Sequence, residues 1–254
     1  MISEINSGAR PAGIANEQEV PAAVQQMFDQ IAPRYDLLNH LLSAGLDRSM
    51  WRRAAQTFRE TLAAPSTVVL DLCCGTGDMT LALNVLRPRT PNDQPILAVD
   101  FSPEMLTRAA QKFSGHNIKL LQADALHLPL ADSSVDLITC AYGFRNLASY
   151  EEGLAELHRV LRPGGRIGIL ECNQPGGLTG ALYSLYFHHV LPLIGGLISG
   201  NSSAYRYLPA SVARFPRPPR MLELIRNTGF IAAAWDRYAF GAAGLFHAQK
   251  PPAA

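Results

Sequence analysis

Between residues 67 and 172 short apolar runs alternate with stretches of helical periodicity, and that alternation limits the chain more than any other feature. Runs at 67–72, 95–100, 118–122, 134–141 and 165–172 read as strands, and about 78–87, 102–113 and 149–161 read as helices. Such an order predicts an α/β fold with a mostly parallel sheet covered by helices on both faces. Local signals agree: Ser102 can cap a helix, Pro103 suits its first position and Glu104 suits the positive end of its dipole. In "LRPGGRIGIL" the Pro163-Gly164-Gly165 run predicts a helix end and a turn into the next strand. Upstream, "PAAVQQMFDQIA" places Val24, Phe28 and Ile31 on one helical stripe, and further helices broken near Gly45 follow, so an N-terminal helical layer is expected. The end, "GFIAAAWDRYAFGAAGLFHAQK", reads as two antiparallel strands completing the sheet edge.

The stretch "VVLDLCCGTGDMT" follows the first strand into its turn. Gly75 and Gly77 permit a tight turn and let backbone amides approach a ligand with no Cβ in the way. A dinucleotide fingerprint needs G-x-G-x-x-G, whereas counting from Gly75 gives Gly-Thr-Gly-Asp-Met-Thr, with Thr80 at the last glycine. No Gly-Lys-Ser/Thr follows, so a Walker loop is excluded. Asp78 puts a carboxylate where a pyrophosphate would dock, which points to a nucleoside without phosphates. Asp100 ends the second strand, where an acid accepts both hydroxyls of a ribose. Asp124 and Ala125 end the third, placed for an exocyclic amine and an adenine face. In open α/β sheets ligands bind outside the carboxyl ends of the strands, so these loops converge on one crevice. For each acid the alternative is a helix cap or turn residue.

Composition narrows the classes. The chain has 254 residues, 48% apolar, enough for one domain with a sizeable core. Twenty-two basic against 21 acidic side chains give a net charge of +1, which offers no surplus for nucleic acid. Four cysteines, at 73, 74, 140 and 172, lack zinc spacing, and Cys73 and Cys74 are expected inside a strand with side chains on opposite faces, reduced and cytoplasmic. No metal site is expected. Residues 1–20 carry no apolar segment and resemble neither a signal nor a transit peptide; they read as a disordered extension.

The run "LDLCCGTGD…VDFSPEML…ADALHLPLADSSVD…LRPGG" resembles the class I S-adenosylmethionine-dependent methyltransferases. Cys73 in place of the first motif glycine, with "MFDQIAPRYDLLNHLLSAGLDRSMWRR", "AYGFRNL", "YFHHVLPLIGGLISG" and "SAYRYLPASVARFP", resembles one subgroup, the ubiquinone/menaquinone biosynthesis C-methyltransferases (UbiE/MenG). The resemblance spans about residues 20 to 250. It departs at Arg217-Pro218-Pro219-Arg220, where many relatives carry a short acidic or glutamine-containing turn, and this bears on the substrate entrance. The resemblance implies a Rossmann-like class I methyltransferase fold with a seven-stranded sheet. Domain bounds follow: a single domain over 21–254, with a helical cap at 21–64, a cofactor-binding core at 65–175, a substrate-lid insert at 176–228 and C-terminal strands at 229–250. It implies S-adenosyl-L-methionine as cofactor, held by Asp71, Gly75, Thr76, Gly77, Asp100, Phe101, Asp124 and Ala125.

The implied activity is C-methylation of a demethylated isoprenoid quinol, demethylmenaquinol first, with a benzoquinol, a phylloquinone-type ring or another small phenol as alternatives. A methyltransferase for a nucleic-acid amine is disfavoured, because "AYGF" stands where Asn/Asp-Pro-Pro-aromatic would be needed. A non-enzymatic binding or membrane-adaptor protein is the third class. An oxidised quinone is itself an electrophile, so the acceptor must be the reduced ring, made nucleophilic by deprotonation of a phenol beside an aligned donor. Arg145 is the candidate to stabilise that quinolate or order a water, with a structural ion pair as its alternative. Asp78 is the candidate to assist it or to balance the sulfonium. Tyr35, His40, Tyr205 and Tyr207 are candidate substrate contacts. The apolar segment "GLTGALYSLYFHHVLPLIGGLISG" is interrupted by His188, His189 and Pro192, and reads as a pair of helices forming a lid for an isoprenoid tail rather than a membrane span. Expected partners are the lipid quinol, the inner face of the cytoplasmic membrane by peripheral contact, and a second copy in a homodimer; nucleic acid is not expected.

Overall fold

A computed structural model describes residues 8–11, 16–36, 45–64, 66–88, 94–176 and 202–253. Seven strands form one sheet: β1 Val69–Leu72, β2 Ile96–Asp100, β3 Ile118–Gln122, β4 Val135–Ala141, β5 Leu161–Cys172, β6 Ile231–Tyr238 and β7 Ala243–Gln249. Their order is β3-β2-β1-β4-β5-β7-β6, parallel from β3 to β5 and antiparallel at β7 and β6. The order reverses between β1 and β4, which opens a crevice at their carboxyl ends.

The helices are α1 Val20–Ile31, α2 Asp47–Gln56, α3 Arg59–Ala63, α4 Asp78–Leu86, α5 Pro103–Lys112, α6 Tyr150–Val160, α7 Ser202–Arg214 and α8 Pro218–Asn227. Ser102 Oγ accepts the Met105 N–H at 3.1 Å and caps α5, while Ser149 does the same for Glu152 at 3.2 Å and caps α6. Pro218 and Pro219 open α8, since their missing N–H groups fall where no intrahelical partner exists.

Three sequence readings change. Pro163-Gly164-Gly165 does not precede the fifth strand but lies within it, because β5 starts at Leu161 directly after α6 and the register with β4 slips between Val135 and Leu137. Gly164 takes φ +81° there and its N–H donates to Lys250 O, so the turn becomes a bulge. The disordered extension read over 1–20 does not hold for residues 8–11: Ala9 is buried with its N–H on Leu147 O at 2.8 Å, and Arg214 Nη1 donates to Arg10 O at 2.7 Å. The helical layer also divides. α2 and α3 pack into the core through Ala54, Ala55, Phe58 and Leu62, against Met79 and Leu83 of α4, while α1 lies elsewhere. On the other face Phe144, Tyr150, Phe215 and Phe246 form a chain of ring contacts with centroids 5.5–6.2 Å apart.

Asp71 sits fully buried in the middle of this packing. Its Oδ1 accepts from Thr139 Oγ1 of β4 at 2.7 Å and its Oδ2 from Thr80 Oγ1 of α4 at 2.5 Å, so one carboxylate joins two strands and a helix. Burial raises its pKa to about 6 against the opposing effect of the two hydroxyls. A carboxyl raised in the fold is stable when protonated, so its stabilisation is complete below the unfolded value near 4 and is lost as pH climbs through about 6. Asp71→Asn should abolish that dependence: between pH 4 and pH 7 the wild type should lose about 3 kcal/mol relative to the variant, at ~1.4 kcal/mol per pK unit. Denaturant unfolding across this range checks it, and parallel curves for the two proteins would refute it.

Candidate active site

The turn after β1 is built from left-handed residues. Cys73 has φ +51°, Gly75 φ +56° and Gly77 φ +95°. The reading of both cysteines as strand residues is therefore corrected: β1 ends at Leu72, and the chain turns at Cys73. Cys74 N–H donates to Val99 O at 2.9 Å, which ties the turn to β2. Gly77 is required by space as well as by φ, since a Cβ there would stand 2.3 Å from the Phe113 ring. Asp78 then opens α4.

Beside this turn lies a cleft open to solvent, walled by Asp100 and Phe101 after β2, by Asp124, Ala125 and Leu126 after β3, and by Tyr142 and Asn146 after β4. Asp100 Oδ2 accepts the Gly75 N–H at 2.8 Å and Oδ1 accepts the Ser102 N–H at 2.9 Å, which fixes the carboxylate while leaving lone pairs for a diol. Burial raises the Asp100 pKa, and those backbone donors oppose the rise. Asp124 Oδ1 accepts the Leu126 N–H at 2.9 Å. Three loops expected to converge thus line one space, with Gly75 between them.

A smaller adjoining space is lined by Asp71, Thr76, Asp78, Trp51 and Met79, and shares Tyr35, Cys73, Gly75, Ala141 and Tyr142 with the first. At its edge Lys112 Nζ, at the end of α5, lies 2.7 Å from Asp36 Oδ2, 3.0 Å from Thr76 Oγ1 and 3.2 Å from each Asp78 oxygen. Thr76 Oγ1 also donates to Asp36 Oδ1 at 2.5 Å. One lysine thereby fastens the segment carrying Tyr35 to the glycine turn.

The expected site residues divide accordingly. Asp100, Phe101, Asp124, Ala125, Gly75 and Tyr35 line the main cleft; Asp71, Thr76 and Asp78 line the adjoining one; Gly77 shapes the turn without lining either. Tyr207 Oη donates to Asn146 Oδ1 at 3.1 Å, and burial pushes its pKa up to about 12. His40, the side chain of Tyr205 and the apolar segment over 177–201 lie outside the described residues. Arg145 does not line the cleft. It occupies the ion pair that was its alternative: Nη1 is 3.1 Å from Glu171 Oε2, donates also to Tyr142 O, and Nε reaches Ser211 Oγ at 3.4 Å. Burial would lower the guanidinium's pKa, but the Glu171 carboxylate more than offsets it and the net direction is up.

Sequence reasoning missed α1 as a wall of the cleft. The stripe of Val24 and Phe28, read as part of an N-terminal helical layer, lines the cleft with Pro21 and Gln25. Gln25 Nε2 donates to Phe101 O at 3.2 Å, and Ser102 Oγ donates to Asp29 Oδ1 at 2.5 Å, so α1 is bonded to the loop bearing Asp100. Lys112 and Glu171 were missed as well. Both act across 26 or more positions of sequence, and no local pattern marks them.

The model of the ubiE/COQ5 methyltransferase family matches residues 14–250. The chain is similar to the demethylmenaquinone methyltransferase of Deinococcus radiodurans, 48% identical over 240 residues that cover 93% of this chain and 96% of that one. It is 46% identical to the demethylmenaquinone methyltransferase of Thermus thermophilus, covering 89% and 100%, and 42% identical to the ubiquinone/menaquinone biosynthesis C-methyltransferase UbiE of Geotalea daltonii, covering 89% and 96%. Among solved structures the fold is shared with the [4+2]-cyclase SpnF, TM-score 0.65 at 17% identity over 97% of this chain and 100% of that one. It is shared too with a possible histamine N-methyltransferase from Thermotoga maritima, TM-score 0.62 at 17% identity over 89% and 99%.

Two expectations follow from the charges. Arg145→Met leaves Glu171 buried without its counter-ion and should cost about 3–5 kcal/mol of stability; thermal unfolding indistinguishable from wild type would refute the structural role. Lys112→Met should release the 32–36 segment, speeding its amide exchange by about threefold to fivefold, with Lys112→Arg restoring protection. Unchanged exchange would show that the cluster holds nothing in place.

Proposed function

The chain belongs to the ubiE/COQ5 methyltransferase family, and from that premise we propose that it methylates a ring carbon of a demethylated isoprenoid quinol, demethylmenaquinol, with S-adenosyl-L-methionine as donor. That it is a methyltransferase follows from the family, and the family implies the donor. The quinol is read from the names of relatives 48% and 46% identical over nearly their whole lengths. The single observation that carries the reading is Asp100, a half-buried carboxylate fixed by Gly75 and Ser102 amides in a cleft also lined by Asp124, Ala125 and Leu126.

The residues fit the donor. The bare Cα of Gly75 leaves its nearest neighbour, the Tyr35 ring, 3.7 Å from where a Cβ would stand, so a ligand can approach the backbone. Asp100 would accept the two ribose hydroxyls, Asp124 the exocyclic amine, and Ala125 with Leu126 the face of the base. When bound, the sulfonium supplies an electrophilic methyl group to a nucleophile in line with it. Asp71 and Asp78 give the adjoining space its negative character, which favours a cationic donor over its neutral product. The tyrosines do not serve as ionised bases at neutral pH, because burial raises Tyr142 and pushes Tyr207 up to about 12. Asp78, at the mouth of the adjoining space, is the candidate to take the phenolic proton or to balance the sulfonium. Arg145 acts as a positioning residue, holding the Tyr142–Asn146 turn through Tyr142 O and Glu171.

An isoprenoid acceptor resides in a bilayer, so the enzyme must reach one. No described helix is long and apolar enough to cross a membrane. A surface contact is favoured by Phe240, 84% exposed at the β6–β7 turn, on the side of the sheet where the cleft opens. Gly241 of the same turn lies beside Pro175, from which the chain leads into the apolar 177–201 stretch.

The test is incubation of the purified protein with methyl-labelled S-adenosyl-L-methionine and a reduced demethylated naphthoquinol in detergent. Label should enter the ring, and Asp100→Ala should weaken donor binding by about 10- to 100-fold through loss of charge-assisted hydrogen bonds. Absence of transfer to naphthoquinol and benzoquinol alike would overturn the acceptor, and an unchanged dissociation constant in the variant would remove Asp100 from the site.

A further inference from the structure

Cys73 and Cys140 meet where the sheet order reverses. The register sets Leu72 opposite Cys140, so a continued strand would point Cys73 to the face away from Cys140. The left-handed backbone at Cys73 breaks that alternation. Both sulfurs instead gather around the bare Cα of Gly143: a Cβ there would stand 3.1 Å from Cys73 Sγ and 3.4 Å from Cys140 Sγ. Glycine at 143 leaves a space that both sulfurs border, and the neighbouring Cys73 side chain, then burial, raises the pKa of Cys140. Both are free thiols. Cys73 is half-buried and lines both spaces of the active site, whereas Cys140 is buried. The neighbouring Cys74 packs into a different cluster, against Ala98, Leu106 and Phe113.

We propose that Cys73 and Cys140 form a reversible disulfide, with a quinone as oxidant, that closes the donor site. The choice of oxidant rests on the quinol reading above; the thiol pair does not. In the reaction two S–H bonds break and one S–S bond forms, while two electrons and two protons pass to the quinone, which leaves as the quinol. A disulfide requires Cβ atoms about 3.8 Å apart at a set torsion, and closing it would impose that geometry on the turn at Cys73. That turn carries the Cys74 N–H to Val99 O and the Gly75 N–H to Asp100 Oδ2. Oxidation would therefore disturb the residues that hold the donor, and would do so when the acceptor pool is oxidised and offers no nucleophilic ring. Bound donor would cover Cys73 and delay the reaction.

The full-length reduced protein is treated in parallel with diamide and with tetramethyl-1,4-benzoquinone, whose ring has no unsubstituted carbon and so takes electrons without adding to thiols. Expected are a mass loss of two hydrogens, a cross-linked peptide joining Cys73 to Cys140, and donor binding weakened about tenfold or more, all reversed by dithiothreitol. Cys140→Ser, or Cys140→Ala if serine unfolds the strand, should bind donor normally and lose the response; Cys172→Ser should retain it. Cysteines 73 and 140 that both remain open to alkylation after denaturation, or a link from Cys73 to Cys74, would overturn the pair. A link made by diamide but not by the benzoquinone would overturn the quinone as oxidant. Because the diamide arm contains no acceptor, a failure of methyl transfer to quinols leaves its result standing.

Discussion

The active site depends on a carboxylate that touches the ligand space only at its edge. Asp71 is fully buried, and its two oxygens are taken by Thr139 of β4 and Thr80 of α4. Parallel neighbours such as β1 and β4 are joined by evenly spaced, slanted backbone bonds, a pairing slightly less stable per residue than the antiparallel one. The hydrogen bonds of Thr139 and Thr80 to one carboxyl at that point fix both strands and the start of the helix after the glycine turn. With β1, β4 and α4 held, the left-handed residues at 73, 75 and 77 have one place to turn, and the Gly75 amide arrives on Asp100. The cost is a buried acid whose pKa rises toward the physiological range.

Around this centre the charges are arranged in tiers. Asp71 is buried and Asp100 half-buried, both held by hydrogen bonds, while Asp78 and Asp36 share Lys112 at the partly exposed rim. One cation among these acids leaves the space negative, which suits a positively charged donor and repels phosphate. Arg145 and Glu171 stand apart from this set as a closed pair that supports the turn after β4. The structure shared with a [4+2]-cyclase and a possible histamine N-methyltransferase has no such implication by itself, since a common scaffold hosts different chemistry at its loops.

Much of the fold was legible because its signals are local. The strands and helices between 69 and 172 follow from short apolar runs, the cap at Ser102 and the glycine turn, and they fall within a few residues of the bounds read from sequence. That Asp100, Asp124 and Ala125 line the cleft was legible for a related reason: a carboxyl end of a parallel strand faces the crevice whatever the rest of the chain does. Arg145 shows the limit. Its place after β4 suggested a charge near the acceptor, but Glu171, one strand away and 26 residues on, draws the guanidinium inward.

The amino-acid order alone determined the element sequence, the parallel sheet and the loops that line the crevice, since periodicity, capping and glycine geometry act within a few residues. Only the folded chain decided which charges are spent on structure, that the Val24 and Phe28 stripe faces the cleft, and that Cys73 turns toward Cys140. Those outcomes depend on which distant groups the packing brings within a few ångströms, and the energy of a charge or thiol is set by that neighbourhood rather than by its position along the chain.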